Sequence, residues 1–148
     1  MIHIAICEDD PIYLHELEKT IKETKGLSAE IHPCSSPEER SKLYGKNFVP
    51  YDIVLMDIEL PEKSGIILSK KILQADASTQ IIFITQYREY CSDVYETEHV
   101  YFIHKSHLYF CYTITYFSSF VKYLFVFIKN RCKNISSLKH LLYFLLFY

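Results

Sequence analysis

The chain has 148 residues, 23% of them charged, and a net charge of −2. This length gives room for one domain with a real core and little more, and the sequence has no basic reading helix, zinc-finger or RRM motif that would indicate nucleic-acid binding. Its five cysteines are odd in number and form no CxxC pair, and no signal peptide precedes the first apolar run. We therefore expect a cytoplasmic protein with free thiols.

The distribution of charge divides the chain in two. All 18 acidic residues lie at or before Glu98, whereas the rest of the chain carries six basic residues and no acid. Neither glycine nor proline occurs after Gly65. We predict one folded domain over residues 1–107 and an atypical hydrophobic tail over residues 108–148.

The first third of the chain predicts strand, helix, strand and helix. An apolar run gives a strand over residues 2–7, and Pro11, with Asp10 before it as a cap, begins an amphipathic helix that reaches about residue 25. A short strand follows over residues 29–34. Ser36, followed by a proline and two glutamates, provides a capping box that begins the second helix.

The remaining elements continue the alternation. Near-continuous apolar residues predict a strand over residues 51–57 that is buried on both faces. Further elements are a helix over about 66–75, a strand over 80–85, a helix over 87–96 and a strand over 100–103. The residues of the first of these helices that we expect to face inward are Ile67, Leu68, Ile72 and Leu73. Strict alternation implies right-handed βαβ units and a doubly wound α/β fold, a five-stranded parallel sheet of the flavodoxin-like kind with helices on both faces.

Polar residues stand at the carboxyl ends of four of these strands. They are Asp9 and Asp10, Asp57, Thr85 and Lys105. In open parallel sheets this edge is where ligands bind. Three carboxylates gathered there repel each other, and a hard divalent cation with oxygen ligands, Mg²⁺ above all, relieves that repulsion. The pattern indicates a phosphorylatable aspartate.

Four short motifs match one known family in kind, order and spacing. They are IAICEDD at residues 4–10, DIVLMDIELP at 52–61 followed by Gly65, IFIT at 82–85 and YFIHK at 101–105. With these motifs the chain resembles the receiver domain of bacterial two-component response regulators. Residues 6–10 and 98–103 look most like the members with a LytTR-type DNA-binding output, which serve in transcription regulation; the chain stops too soon for such an output domain.

The resemblance implies a role for each polar residue. Asp57 is the expected phosphoacceptor, attacking a phosphohistidine on a sensor histidine kinase. Asp10 is expected to bind Mg²⁺ directly, together with Asp57 and the backbone carbonyl of Glu59, while Asp9 holds the ion through a water. Lys105 is expected to contact one phosphoryl oxygen.

The resemblance also implies a switch and leaves the assembly open. Thr85 is expected to hydrogen-bond a second phosphoryl oxygen, shifting the loop after the fourth strand and letting Phe102 turn inward. A homodimer formed through the receiver is an alternative that the sequence does not decide.

Two other groups are weighed and set aside as metal ligands. Glu8 is excluded because strand alternation is expected to point it away from its neighbours. A second group, near the end of the predicted domain, has spacing that fits no ordinary zinc site and is expected to be surface residues. It consists of His99, His104, His107 and Cys111.

Three explanations of the tail compete. Residues 108–128 carry only Lys122 as a charge and approach the length of a membrane span, but the basic residues that follow would violate the positive-inside rule, so membrane association is not favoured. A second explanation is a fifth helix over 108–125 that covers the sheet. The third explanation, out-of-frame or decayed coding sequence, is favoured. Helices of soluble proteins carry acidic residues on their solvent-exposed face, and this tail has none.

Three functions also compete. The leading hypothesis is a phosphoacceptor signalling domain that is not an enzyme. A Mg²⁺-dependent aspartyl phosphatase of the haloacid dehalogenase type would have an aspartate two residues after its nucleophile, where this chain has Glu59. An inactive, truncated remnant of a LytTR-type regulator would share the fold and lack phosphorylation.

Overall fold

The computed structural model describes residues 1–24, 26–46, 48–61, 63–87, 90 and 100–105. Its elements, in chain order, are β1 (Ile2–Cys7), α1 (Pro11–Glu23), β2 (Ala29–Pro33), α2 (Pro37–Ser41), β3 (Ile53–Met56), α3 (Gly65–Ala75), β4 (Gln80–Thr85) and β5 (Val100–His104). The helix predicted over residues 87–96 falls mostly outside these ranges, and the tail over 108–148, with its helix over 108–125, lies wholly outside them. Among the described helices none is long and apolar enough to cross a membrane.

The five strands form one parallel sheet in the order β2-β1-β3-β4-β5. Parallel neighbours require crossover connections, and these bring the carboxyl ends of all five strands to one edge. The predicted doubly wound parallel sheet is confirmed.

Apolar side chains alternate between the two faces of the sheet and build two cores. One core, the α3-side cluster, includes Ala5, Cys7, Val54, Met56, Ile81 and Phe83 of the strands with Leu68 and Ile72 of α3. The other, the α1-side cluster, includes Ile4, Ile6, Ile53, Leu55, Ile82, Ile84 and Ile103 of the strands with Leu17 and Ile21 of α1. Each fully buried aliphatic side chain stabilises the fold by about 1.5–3 kcal/mol. The helices therefore cover both faces, as predicted.

One predicted inward residue of α3 is wrong. Leu68 and Ile72 are buried and Leu73 packs partly against the α3-side cluster, but Ile67 is 53% exposed. Successive helical residues are about 100° apart around the axis. With Leu68 at the centre of the buried face, its neighbour Ile67 is turned toward solvent.

Side-chain caps start two helices where the sequence indicates. The Asp10 carboxylate accepts a hydrogen bond from the amide of Ile12 at 2.8 Å, with Pro11 at the first helical position. In α2 the Ser36 hydroxyl accepts from the amide of Glu39 at 3.2 Å, and the Glu39 carboxylate accepts from the amide of Ser36 at 2.9 Å. The predicted capping box is confirmed.

The first residue of α3 has to be glycine. Gly65 donates its amide to the carbonyl of Ile58 at 2.8 Å, so the start of the helix lies against the loop that follows β3. A β-carbon at Gly65 would lie 2.0 Å from the carbonyl oxygen of Asp57 and 2.9 Å from Cγ of Met56. The first contact is with backbone and cannot rotate away.

We predict that Gly65→Ala lowers the free energy of unfolding by about 1–3 kcal/mol, because the new methyl group has to displace the backbone at Asp57. Without the clash, alanine would stabilise a helix relative to glycine. Gln74→Ala, at an exposed position of the same helix, is the control and should change stability by less than about 0.5 kcal/mol. Urea denaturation measures both, and an unchanged or stabilised Gly65→Ala protein would contradict the close approach.

Candidate functional site

The carboxyl edge of the sheet carries a buried carboxylate immediately after β3. Asp57 is 7% exposed, and its amide donates to the carbonyl of Cys7 at 2.9 Å, which fixes it beside the end of β1. The amide of Glu59 approaches Oδ1 of Asp57 at 3.4 Å. The chain thus delivers this carboxylate to the edge with its backbone held by a neighbouring strand.

A buried ammonium joins that carboxylate to a second one. Nζ of Lys105, just after β5, lies 2.7 Å from Oδ2 of Asp57 and 2.8 Å from Oε2 of Glu8. The side chains of Lys105, Asp57 and Glu8 are 6%, 8% and 2% exposed. The ammonium also stands 4.4 Å from the centroid of the Tyr13 ring on α1, within cation–π range. One cation therefore serves two buried acids.

Burial and charge shift the titration of two of these groups. Burial alone would lower the pKa of Lys105, but its hydrogen bonds to Asp57 and Glu8 outweigh burial and raise that pKa above its usual value. Burial raises the pKa of Glu8, the nearby Asp57 carboxylate raises it further, and the hydrogen bond from Lys105 opposes both. Lys105 is consequently harder to deprotonate than a free lysine, and Glu8 is harder to ionise than a solvated glutamate.

Glu8 lies beside Asp57 and Asp9, so the expectation that it points away from the other acids is wrong. In the ladder between β1 and β3, Cys7 pairs with Met56, so the next positions in the same register are Glu8 and Asp57. Residues paired in a parallel ladder project to the same side of the sheet. Strand alternation predicts opposite directions for Glu8 and its chain neighbours, but the register of the ladder places Glu8 on the same side as Asp57.

Three carboxylates meet at this edge, and Asp10 is not one of them. Ligand oxygens of Glu8, Asp9 and Asp57 all lie within 4.8 Å of one another, with Asp9 exposed and the other two buried. Asp10 instead caps α1, and its amide donates to Oε1 of Glu8 at 3.2 Å. The acid pair at the cluster is thus Glu8 and Asp9, one residue earlier than the predicted pair.

Two further predicted site residues lie on β4 and β5. Thr85 is buried at the end of β4, and its hydroxyl oxygen lies 3.4 Å from the amide of Tyr87. Phe102 packs partly against the α3-side cluster. The ring Nε2 of His104 is 2.7 Å from the carbonyl oxygen of Gln86. Of the histidine and cysteine group considered above, the other members, at 99, 107 and 111, lie outside the described residues.

The model of the response regulator receiver domain family matches residues 4–107. The chain belongs to this family. Receiver domains are signalling modules of two-component systems, and the resemblance drawn from the four motifs is confirmed.

Two regulators illustrate the relationship. The receiver is 36% identical over 84 residues to the transcriptional regulatory protein RprY of Bacteroides fragilis, covering 57% of this chain and 34% of RprY. It is 29% identical over 100 residues to the sensory transduction protein LytR of Staphylococcus haemolyticus, covering 68% of this chain and 38% of LytR. The chain therefore spans little more than a third of the length of these relatives.

Solved structures share the fold. The response regulator TrrA of Thermotoga maritima, in complex with Mg²⁺ and BeF, is 26% identical with a TM-score of 0.62, covering 84% of this chain and 99% of that one. The response regulatory domain of mrkE from Klebsiella pneumoniae is 20% identical with a TM-score of 0.70, covering 87% and 99% of the two chains. The second likeness supports the receiver fold alone.

We predict that Lys105→Met lowers the free energy of unfolding by about 3–5 kcal/mol in chelator-treated buffer, because two buried carboxylates then face each other without a cation. The matched control is Lys22→Met. Lys22 forms an ion pair of the same 2.8 Å length with Glu18, but its side chain is 63% exposed, so its loss should cost less than about 1 kcal/mol. Urea denaturation of both variants measures the difference, and equal losses would refute the bridging role of Lys105.

Proposed function

We propose that this receiver accepts a phosphoryl group on Asp57 from the phosphohistidine of a sensor histidine kinase, with Mg²⁺ as cofactor. The observation that carries the proposal is the buried Asp57 carboxylate, 2.7 Å from the Lys105 ammonium and grouped with Glu8 and Asp9. A buried acid with its own fixed cation, placed at the ligand-binding edge of a parallel sheet, is suited to phosphoryl transfer.

The transfer exchanges one bond to phosphorus for another. A carboxylate oxygen of Asp57 attacks the phosphorus in line with the imidazole nitrogen of the kinase, the phosphorus–nitrogen bond breaks, and its electron pair stays with the nitrogen. The product is an acyl phosphate. Lys105, which in this structure contacts Oδ2 of Asp57, is placed to transfer its hydrogen bond to a phosphoryl oxygen as charge moves onto the phosphoryl group.

The donor set at the site fits Mg²⁺. The grouped ligand atoms of Glu8, Asp9 and Asp57 are all carboxylate oxygens, and hard cations of this size prefer a few carboxylates together with retained waters. When bound, Mg²⁺ supplies positive charge that stabilises the transferring phosphoryl group. We retain the backbone carbonyl of Glu59 as a further donor. Glu8 replaces Asp10 as the first member of the acid pair, since Asp10 is engaged as a helix cap.

We further propose Thr85 and Phe102 as the switch. The Thr85 hydroxyl stands at the start of the loop after β4 and lies 3.4 Å from the amide of Tyr87. A new hydrogen bond from that hydroxyl to a phosphoryl oxygen would compete with this contact and draw the loop toward Asp57. Phe102 on the adjacent β5 is half-buried. When the loop moves, the Phe102 ring would turn inward into the space that the loop has left.

Other parts of the proposal concern the surroundings of the domain. Four properties stay predictions: domain bounds of 1–107 with an atypical tail over 108–148, a cytoplasmic location, receiver homodimerisation and a non-enzymatic role.

The aspartyl phosphatase alternative is disfavoured because the position two residues after Asp57 holds Glu59. This glutamate is exposed, and its Oε1 lies 3.4 Å from the hydroxyl of Tyr90. The inactive remnant is the alternative that a phosphorylation experiment separates from the proposal.

We expect acetyl phosphate with Mg²⁺ to add one phosphoryl group to the full chain and Asp57→Asn to abolish the addition, because a neutral amide is a far weaker nucleophile than a carboxylate. Intact-protein mass spectrometry measures the gain. Asp52→Asn is the matched control, since Asp52 is an exposed aspartate at the opposite end of the same strand segment and should label as the wild type does. Failure of the wild type to label would contradict the proposal and support the inactive remnant.

A second measurement decides which acids hold the metal. We expect Asp9→Asn to weaken Mg²⁺ binding by about tenfold or more, by analogy with the loss of groups around metal sites, and Asp10→Asn to leave it nearly unchanged. Asparagine caps helices as well as aspartate does, so the second variant removes a charge and keeps α1 intact. Isothermal titration calorimetry gives both affinities. A larger loss in Asp10→Asn would restore Asp10 as the direct ligand.

A further inference from the structure

A second group of metal-ligating side chains lies on the two strands farthest from β5. Nδ1 of His3 on β1 is 3.3 Å from Oε2 of Glu30 on β2, and Nε2 of His32 is 3.5 Å from Oε1 of the same carboxylate. All three ligand atoms lie within 4.8 Å of one another. Each imidazole thus lies close to a different oxygen of the Glu30 carboxylate.

The register of the sheet places these residues together. In the ladder between β1 and β2, His3 pairs with Glu30 and Ala5 pairs with His32. Paired residues share a face, and so do residues two apart along a strand. His3, Glu30 and His32 therefore all project from one face, the face on which Ala5 joins the α3-side cluster.

One nitrogen in this group is left without a satisfactory partner. Nε2 of His32 is shielded from solvent and makes no hydrogen bond to any part of the chain that the structure describes, although Glu30 is close. Buried polar atoms are almost always satisfied by protein, water or an ion. The His32 ring is also held in place, with Tyr51 packed edge-on at a centroid distance of 5.2 Å and the His3 ring stacked at 6.2 Å. These ring contacts hold the nitrogen within 4.8 Å of the ligand atoms of the other two residues.

We propose that His3, Glu30 and His32 bind a divalent transition metal of the Zn²⁺ class. Tetrahedral Zn²⁺ has bonds of about 2.0–2.1 Å, so its ligand atoms stand about 3.3–3.4 Å apart. One ligand atom from each of the three residues lies within 4.8 Å of the other two, so small side-chain movements bring all three to that spacing. Neutral imidazole nitrogen suits Zn²⁺, Cu²⁺ and Ni²⁺, whereas Mg²⁺ prefers oxygen. Three protein ligands leave a fourth position for water.

The proposed site is independent of the phosphoacceptor site. His3 precedes Glu8 by five positions along one extended segment, so the two sites are separated by roughly 16 Å at about 3.3 Å per residue. Their donor sets also select different ions, nitrogen with one carboxylate here and oxygen donors alone at Asp57. A metal bound here would join β2, an edge strand, to β1 and stabilise the edge of the sheet.

The test is a Zn²⁺ titration of the full chain against a chromogenic chelator, after metal removal and with Mg²⁺ in excess to occupy the acidic edge. We compare the wild type with His3→Gln, His32→Gln and Glu30→Gln. The control is His15→Gln, since His15 is an exposed histidine on α1. We expect at least a tenfold weaker affinity in each of the three ligand variants and the wild-type affinity in the control.

Thermal unfolding supplies a second measurement. Zn²⁺ should raise the midpoint of the wild type and of His15→Gln, and it should raise that of the ligand variants less or not at all, since a ligand that binds only the folded state stabilises it. Glu30 is exposed, so Glu30→Gln keeps the test decisive if a histidine variant fails to fold. Absence of Zn²⁺ binding to the wild type, or equal affinity in Glu30→Gln and the control, overturns the proposal. Neither result bears on phosphorylation of Asp57.

Discussion

One shared cation organises the functional edge of this domain. Lys105 contacts Asp57 across 48 positions of sequence and contacts Glu8 from the opposite end of the described chain. Both contacts require β1, β3 and β5 to be aligned to within a residue, because a slip by one position turns a side chain to the other face. The sheet is therefore the device that brings one positive and several negative charges together out of water.

Tight backbone geometry around Asp57 complements that charge arrangement. The aspartate amide is bound to the carbonyl of Cys7, and the start of α3 leaves no space for a β-carbon at Gly65. The main chain of Asp57 is therefore fixed by β1 on one side and by α3 on the other. A nucleophile whose backbone is already fixed has less conformational freedom to lose when it reacts. Precision at the site thus comes from main-chain packing, while the side chains supply the charge.

The sequence predicted the elements well and their mutual alignment poorly. Strands, caps and the order of polar residues at strand ends follow from apolar runs and capping residues such as Ser36. Register does not, because it is a pairing between distant segments. Glu8 was therefore set aside, although its charge beside Asp9 was a visible signal, and the group of His3, Glu30 and His32 was not predicted. Ile67 was predicted to face inward and is exposed, because α3 carries apolar residues on several sides and hydrophobicity alone does not tell which side faces the sheet.

The order of the strands has a consequence for the nascent chain. β1 and β3 are neighbouring interior strands of the sheet, and their register places Glu8 beside Asp57. The lysine that neutralises them comes 48 residues after Asp57, at the end of the last strand. At a synthesis rate of about 5–20 residues per second, Lys105 is added some seconds after Asp57, so the ammonium that both acids contact joins them only once β5 has been made.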